Sequence, residues 1–330
     1  KEYGFTSYCL TEKEIASQAD KTYGAKSSNL VALRAVLPAS VQAPSSAVIP
    51  FGTFGKVLNA PENADVKREY AKHTGELSEK NAVSKLRQIQ ECITKLVAPT
   101  DFKSALQKGL QDSGVVTDSA SVEWDRAFEA TKQVWASVWN ERAHLACSKQ
   151  GLQMQHIEMA VLVQKLVEAE YAFVLHTANP LSGDASEMYG EVVVGQGEAL
   201  VGNHPGRALG FTCKKDGSSG PVVKSLPSKT FALFGHGLIF RSDSNAEDLP
   251  GFAGAGLFDS VPMTEHQQSV ISYRHERLVQ DASFQEQLMQ QLCSVALEVE
   301  KACKGVAQDI EGCWHDGKLY VVQTRPQVGL

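Results

Sequence analysis

The residues best suited to chemistry lie near the end of the chain. Asp309, Glu311, Gln323 and Arg325 flank His315-Asp316-Gly317, a turn sequence between two β-type runs, 308–314 and 318–324. A two-residue Asp316-Gly317 turn would set Glu311 opposite Val322 and leave Glu311 and Gln323 on opposite faces. A three-residue loop with Gly317 left-handed pairs Trp314 with Lys318 instead. It brings Asp309, Glu311, Gln323 and Arg325 to one face, with Ile310, Tyr320 and Val322 on the packed one. A carboxylate, an amide oxygen and a guanidinium on one face can hold Mg²⁺ and a phosphate. Taken alone, such a hairpin more often presents a solvated polar face.

Two further cations fit an anion. Lys26, in Tyr23-Gly24-Ala25-Lys26-Ser27-Ser28-Asn29, sits just before a helix start, where N–H groups and the dipole favour negative charge. Arg241 leaves a buried strand ahead of a glycine-rich loop, 251–256, an arrangement suited to a phosphate clamp. Gln164 interrupts the apolar run Val161-Leu162-Val163-Gln164-Lys165-Leu166-Val167, where backbone groups can meet an adenine edge. Gly195-Gln196-Gly197-Glu198 reads as a strand with a bulge. No histidine stands in a triad-like or metal-site context, and His176 reads as structural. GxxxxGK[ST] and a strand-bound GxGxxG are both absent, which excludes P-loop and Rossmann chemistry.

These residues must be positioned by a chain of 330 residues with net charge −6 and 43% hydrophobic content. That is a globular composition, and it gives no footing for nucleic acid or a polybasic membrane contact. No apolar run reaches the roughly 20 residues of a membrane span. The first ten residues are not a signal peptide and read as a cut within a longer protein. Seven scattered cysteines without a CxxC pair favour neither disulfides nor zinc, and suggest a reducing compartment.

Hydrophobic spacing predicts a helix after Lys26 carrying Leu30, Leu33 and Leu37, and a strand at Ala47-Val48-Ile49. It predicts helices over 62–112, a linker at 112–121, and one amphipathic helix over 123–146. Trp124, Phe128, Trp135 and Trp139 share a face of that helix, a core pattern. Strands follow at 159–167, 171–176, 190–201 and 237–241, with a turn-rich stretch at 210–228 and a long helix around 284–299. The irregular alternation argues α+β or α/β.

Together these segments resemble the nucleotide-binding domain of the pyruvate phosphate dikinase and phosphoenolpyruvate synthase superfamily. The resemblance rests on 24–30, 163–165, 195–198, 241–249, 308–311 and Gln323-Thr324-Arg325-Pro326. Within it, 134–143, 173–184, 240–245 and 253–261 are similar to the alpha-glucan, water dikinase family. Arg241 follows the 195–198 segment here, whereas the arginine segment of pyruvate phosphate dikinase-like members precedes the central helix. That order favours the glucan branch and leaves the lobe of Arg241 open.

The resemblance implies an α+β, ATP-grasp-like domain over 1–330, of two or three lobes with mixed sheets and flanking helices, divided near 1–120 and 121–330. It implies a phosphotransferase with paired acceptors that uses ATP and Mg²⁺. The β-phosphoryl group passes to a histidine, water takes the γ-phosphate, AMP leaves, and the phosphohistidine phosphorylates starch glucosyl units, chiefly at C6. It casts Lys26, Arg241 and Arg325 against the phosphates, Glu311 and Gln323 on Mg²⁺, and Gln164, Lys165 and Leu166 around adenine. Arg142 and Glu198 are secondary candidates for the nucleotide. The phosphohistidine and starch-binding domains are expected upstream, so no catalytic residue is assigned here. The partners implied are ATP, that histidine domain and alpha-glucan, in a plastid stroma or, alternatively, the cytoplasm. Competing readings are a phosphoglucan, water dikinase, a pyruvate-using relative, or a non-catalytic module binding nucleotide or glucan.

Overall fold

The computed structural model describes residues 3–18, 21–118, 122–202, 204–246 and 256–327. The elements begin with β1 (Leu10–Thr11), α1 (Glu12–Ser17), α2 (Ala25–Arg34), β2 (Val41–Gln42) and β3 (Ser46–Ile49). Six helices follow: α3 (Thr53–Leu58), α4 (Ala64–Gly75), α5 (Ala82–Thr94), α6 (Thr100–Asp112), α7 (Trp124–Ala136) and α8 (Glu141–Lys149). Then come β4 (Met159–Lys165), β5 (Tyr171–His176), β6 (Glu187–Val194), α9 (Glu198–Val201), β7 (Leu209–Lys214) and β8 (Val222–Ser225). The chain continues through β9 (Phe231–Phe234), β10 (Leu238–Ser244), β11 (Ser260–Pro262) and β12 (Gln267–Val270). It ends with α10 (Arg277–Gln280), α11 (Ala282–Ala302), β13 (Gln308–His315) and β14 (Lys318–Pro326).

Two compact units result. The first comprises Lys1–Ser28, Ser45–Lys165 and Gly237–Met263; the second comprises Asn29–Pro44, Leu166–His236 and Thr264–Leu330. Neither follows a division at residue 120. The polar stretch Glu168-Ala169-Glu170 carries the chain from one unit's sheet to the other's, so neighbouring β-runs in sequence belong to different cores.

The first unit is built on a five-stranded sheet, β1-β3-β4-β10-β11. Alternation sends Ala47, Ile49, Val161, Val163, Leu238 and Phe240 into a core shared with α5, α6 and α7. The tryptophan face packs here, with Trp135 and Trp139 both buried. The expected single helix over 123–146 breaks, however. Asn140 is extended at φ −65, ψ 146 between a 3₁₀ turn and α8. Its amide is held from both sides: Gln90 Nε2 donates to it at 2.8 Å, and it donates to Asp259 at 3.1 Å. Within the expected linker Val115 and Val116 are core, buried after α6, and positions 119–121 lie outside the described residues.

The second unit is a seven-stranded sheet, β2-β14-β13-β5-β6-β7-β8, with a separate ribbon of β12 and β9. Phe173, Leu175, Met188, Val192, Phe211, Ile310 and Val321 pack with α11 on one face. Two sequence expectations fail here. The 190–201 strand ends at Val194, where Gly195 turns left-handed (φ 80) and α9 begins three residues later. A Cβ at Gly195 would stand 2.3 Å from the Leu233 carbonyl oxygen, so the chain needs glycine there. The turn-rich 210–228 segment contains most of β7 and all of β8, short strands whose glycines and serines mask their period.

The hairpin register is a further correction. Asp316 and Gly317 both have positive φ and form the two-residue turn, pairing His315 with Lys318. A bulge then inserts Val322 between the Gly312–Val321 and Glu311–Gln323 pairs. The bulge restores the face that the three-residue loop was expected to supply. Tyr320 therefore pairs with Cys313, and Leu319 and Val321 take the packed face. All seven cysteines carry free thiols. Among the described residues no helix is long and apolar enough to cross a membrane.

Candidate functional site

In the first unit the start of α2 lies against the end of β10. Gly24-Ala25-Lys26 offers no side-chain N-cap, and the strand supplies one. Fully buried Asp243 accepts from the backbone N–H groups of Gly24 (3.0 Å), Lys26 (2.9 Å) and Ser27 (3.3 Å), and from the Ser27 hydroxyl. The anion expected at this helix start is thus the protein's own. Burial pushes the Asp243 carboxyl up, while the Ser27 hydroxyl, the Lys26 charge and the backbone donors pull it down. The Lys26 ammonium donates to the Ser242 carbonyl at 2.7 Å and to its hydroxyl at 3.2 Å.

Arg241 precedes this pair on β10 and is opposite Leu162, while Ile239 is opposite Gln164. Antiparallel alternation puts Gln164, Arg241 and Asp243 on one sheet face, away from the helix-packed side. Gln164 is 1% exposed, and its Nε2 has no hydrogen-bond partner among the described residues. An unpaired buried amide donor costs about 1–3 kcal/mol, so the position is suited to an acceptor that arrives with a ligand. Lys165 is exposed and Leu166 half-buried, the latter already in the second unit. Thus Arg241 and Gln164 lie on the first unit's sheet, and Lys26 lies on the helix start held against it by Asp243. Arg142 is engaged elsewhere, donating to the Leu257 carbonyl at 2.9 Å and pairing with Asp259. Positions 247–249 and 251–255, which include most of the glycine-rich loop, lie outside the described residues.

In the second unit the bulge puts Glu311 directly opposite Gln323, and Asp309 opposite Arg325. Next along the same face come Val174 and His176 on β5, then Glu191 and Tyr189 on β6. Arg325 grips Asp309 Oδ2 through Nη2 (2.6 Å) and Nε (2.9 Å), a pair 39% and 11% exposed. The other Asp309 oxygen is buried without a hydrogen-bond partner among the described residues, 3.9 Å from the His176 ring nitrogen. Burial and then Glu191 push the Tyr189 hydroxyl up to about 12, so it stays a neutral donor, reaching Glu191 at 3.3 Å. Glu198, at the start of α9, lies 2.7 Å from the ring of His266, whose hydrogen bond holds the carboxyl below its usual range.

Oxygen donors from Glu311, Gln323 and the unsatisfied Asp309 oxygen match a hard divalent cation. Among the described residues no group of three or more His, Cys, Asp or Glu is placed to hold a metal ion. Mg²⁺ does not need such a group, because it usually takes one or two carboxylates and fills its octahedron with phosphate oxygens and water.

Sequence reasoning undervalued two residues. Alternation puts Asp309 on the polar face, but no spacing in the sequence discloses its grip on Arg325. Asp243 lay unremarked inside the 241–249 segment. Its signal was a helix start without a cap of its own, which calls for a buried acceptor from elsewhere.

Comparison with known proteins adds three observations. Residues 115–207 match the family described as pyruvate phosphate dikinase, AMP/ATP-binding domain. Over 97% of its length the chain is 44% identical to the alpha-glucan water dikinase, chloroplastic, of Citrus reticulata. It is 45% identical, over the same share, to alpha-glucan water dikinase 1, chloroplastic, of Arabidopsis thaliana and to the Solanum tuberosum enzyme. The chain spans only 22–23% of the length of these relatives.

Proposed function

We propose that this chain is the ATP–Mg²⁺-binding part of a plastid alpha-glucan, water dikinase, acting in the stroma. ATP passes its β-phosphoryl group to a histidine on another domain of the parent protein, its γ-phosphate goes to water, and AMP leaves. The phosphohistidine then phosphorylates glucosyl units of starch, chiefly at C6. The observation that carries the reading is the polar face of the second unit's sheet. There Glu311 faces Gln323 and Asp309 faces Arg325 within one hairpin.

In this reading Glu311 and Gln323 hold Mg²⁺, which offsets phosphate charge when bound. Lys26, Arg241 and Arg325 meet the phosphates, and Gln164, Lys165 and Leu166 frame the adenine. The buried Gln164 Nε2, which has no hydrogen-bond partner among the described residues, supports that last role. Arg142 and Glu198 are weaker candidates, because Asp259 and His266 already engage them. Phosphoryl transfer depends on positioning and charge stabilisation more than on covalent chemistry by the protein, so this set of groups suffices on the nucleotide side.

The test uses β-labelled ATP, starch and a separately supplied histidine domain. The chain alone should leave starch unlabelled, and the mixture should release AMP and phosphate and label the glucan. Label on starch from the chain alone would overturn the division of labour. An inert mixture, with the histidine domain known to be folded, would overturn the donor role.

A further inference from the structure

We propose that Asp243 is a positioning residue for the phosphate contacts, registering Lys26 against Arg241; this rests on the nucleotide reading above. The Asp243 carboxylate sits in the core. Burying one is costly unless donors surround it, and Asp243, fully buried, has four of them: three backbone N–H groups and the Ser27 hydroxyl. All four belong to residues 24–27, the turn that carries Lys26. A serine at position 24 would be a local cap for α2 without bringing a charge into the core. The chain instead brings the cap from β10, 216 to 219 residues away in sequence.

The helix start is pressed onto the strand so closely that only glycine fits. A Cβ at Gly24 would stand 2.4 Å from Asp243 Oδ1 and 2.9 Å from its backbone carbonyl carbon. Two successive strand residues hold the turn, and Arg241 precedes them on the same strand, on the sheet face of Asp243. Arg241 supplies a guanidinium, Ser242 accepts from the Lys26 ammonium, and Asp243 fixes the backbone of Lys26. The strand is itself locked by pairing with β4 from Leu238 to Ser244. Because the Asp243 carboxylate already takes the Gly24, Lys26 and Ser27 amides, those donors are not offered to a phosphate. A shift of that turn would move Lys26 relative to β10, the strand that carries Arg241.

The test is a double-variant cycle in this chain, with ATP–Mg²⁺ and AMP binding read by calorimetry. Lys26→Met should weaken ATP by roughly tenfold or more, and Asp243→Asn by about tenfold, the scale of one charge-assisted contact. The loss of ATP affinity should exceed any loss of AMP affinity in both. The double variant should bind ATP no more weakly than Lys26→Met, because Asp243 acts through Lys26. Ser27→Ala, which removes a single donor from the carboxylate, should give a smaller loss in the same direction and covers the case in which Asp243→Asn does not fold. Multiplying effects in the double variant, or Asp243→Asn and Ser27→Ala at parental ATP affinity while Lys26→Met is weakened, would overturn the positioning role alone. Parental ATP affinity in Lys26→Met would remove the phosphate role of Lys26 and this inference with it.

Discussion

Trp135→Ala should destabilise the first unit by about 3–5 kcal/mol, the cost of deleting a large aromatic side chain from a closed core. Trp135 is 2% exposed, and its ring meets Phe54, Phe102 and Phe128 with centroids 5.5, 6.4 and 6.3 Å away. Its indole N–H is buried with no hydrogen-bond partner among the described residues. Trp135→Phe should therefore cost much less, since it keeps an aromatic ring and removes an unpaired donor. Urea unfolding followed by circular dichroism reads both. A loss below about 1 kcal/mol for Trp135→Ala would mean that the tryptophan face is not core.

Arg325→Ala should act on both folding and ligand binding, unlike Lys26→Met. Its guanidinium holds Asp309, whose side chain is only 11% exposed, so truncation leaves a largely buried carboxylate unpaired. The apo protein should lose about 1–3 kcal/mol of stability. ATP–Mg²⁺ affinity should fall further, by roughly 10- to 150-fold, for a lost charge-assisted phosphate contact. The double variant Asp309→Asn/Arg325→Ala separates the effects: stability should partly return, and ATP affinity should not. Recovery of both would show that Arg325 serves only Asp309, and an unchanged melting temperature in Arg325→Ala would contradict the ion pair.

What the sequence disclosed followed local periodicity. The tryptophan spacing located a core face, and the long apolar repeat around 284–299 located α11, because each element's pattern is set by its own buried side. The polar hairpin was legible for the same reason, since alternation carries Asp309 and Glu311 together. Partners across space were not. β4 and β5 are separated by five residues yet join different sheets, a choice that neither run encodes. Likewise, the turn register and the bulge at Val322 compensate each other, so the expected face arose from a different register. Asp243 illustrates the limit most clearly. Its four donors lie more than two hundred residues away in sequence, beyond the reach of any spacing rule.

The central claim is that the hairpin face takes ATP together with a divalent cation. Isothermal titration of this chain with ATP, in the presence of Mg²⁺ and again in excess chelator, tests it most directly. ATP should bind with an affinity that Mg²⁺ raises by at least roughly tenfold, ~1.4 kcal/mol, and the gain should be lost in Glu311→Ala. Equal ATP affinity in both solutions, or a Mg²⁺ effect that survives Glu311→Ala, would contradict it.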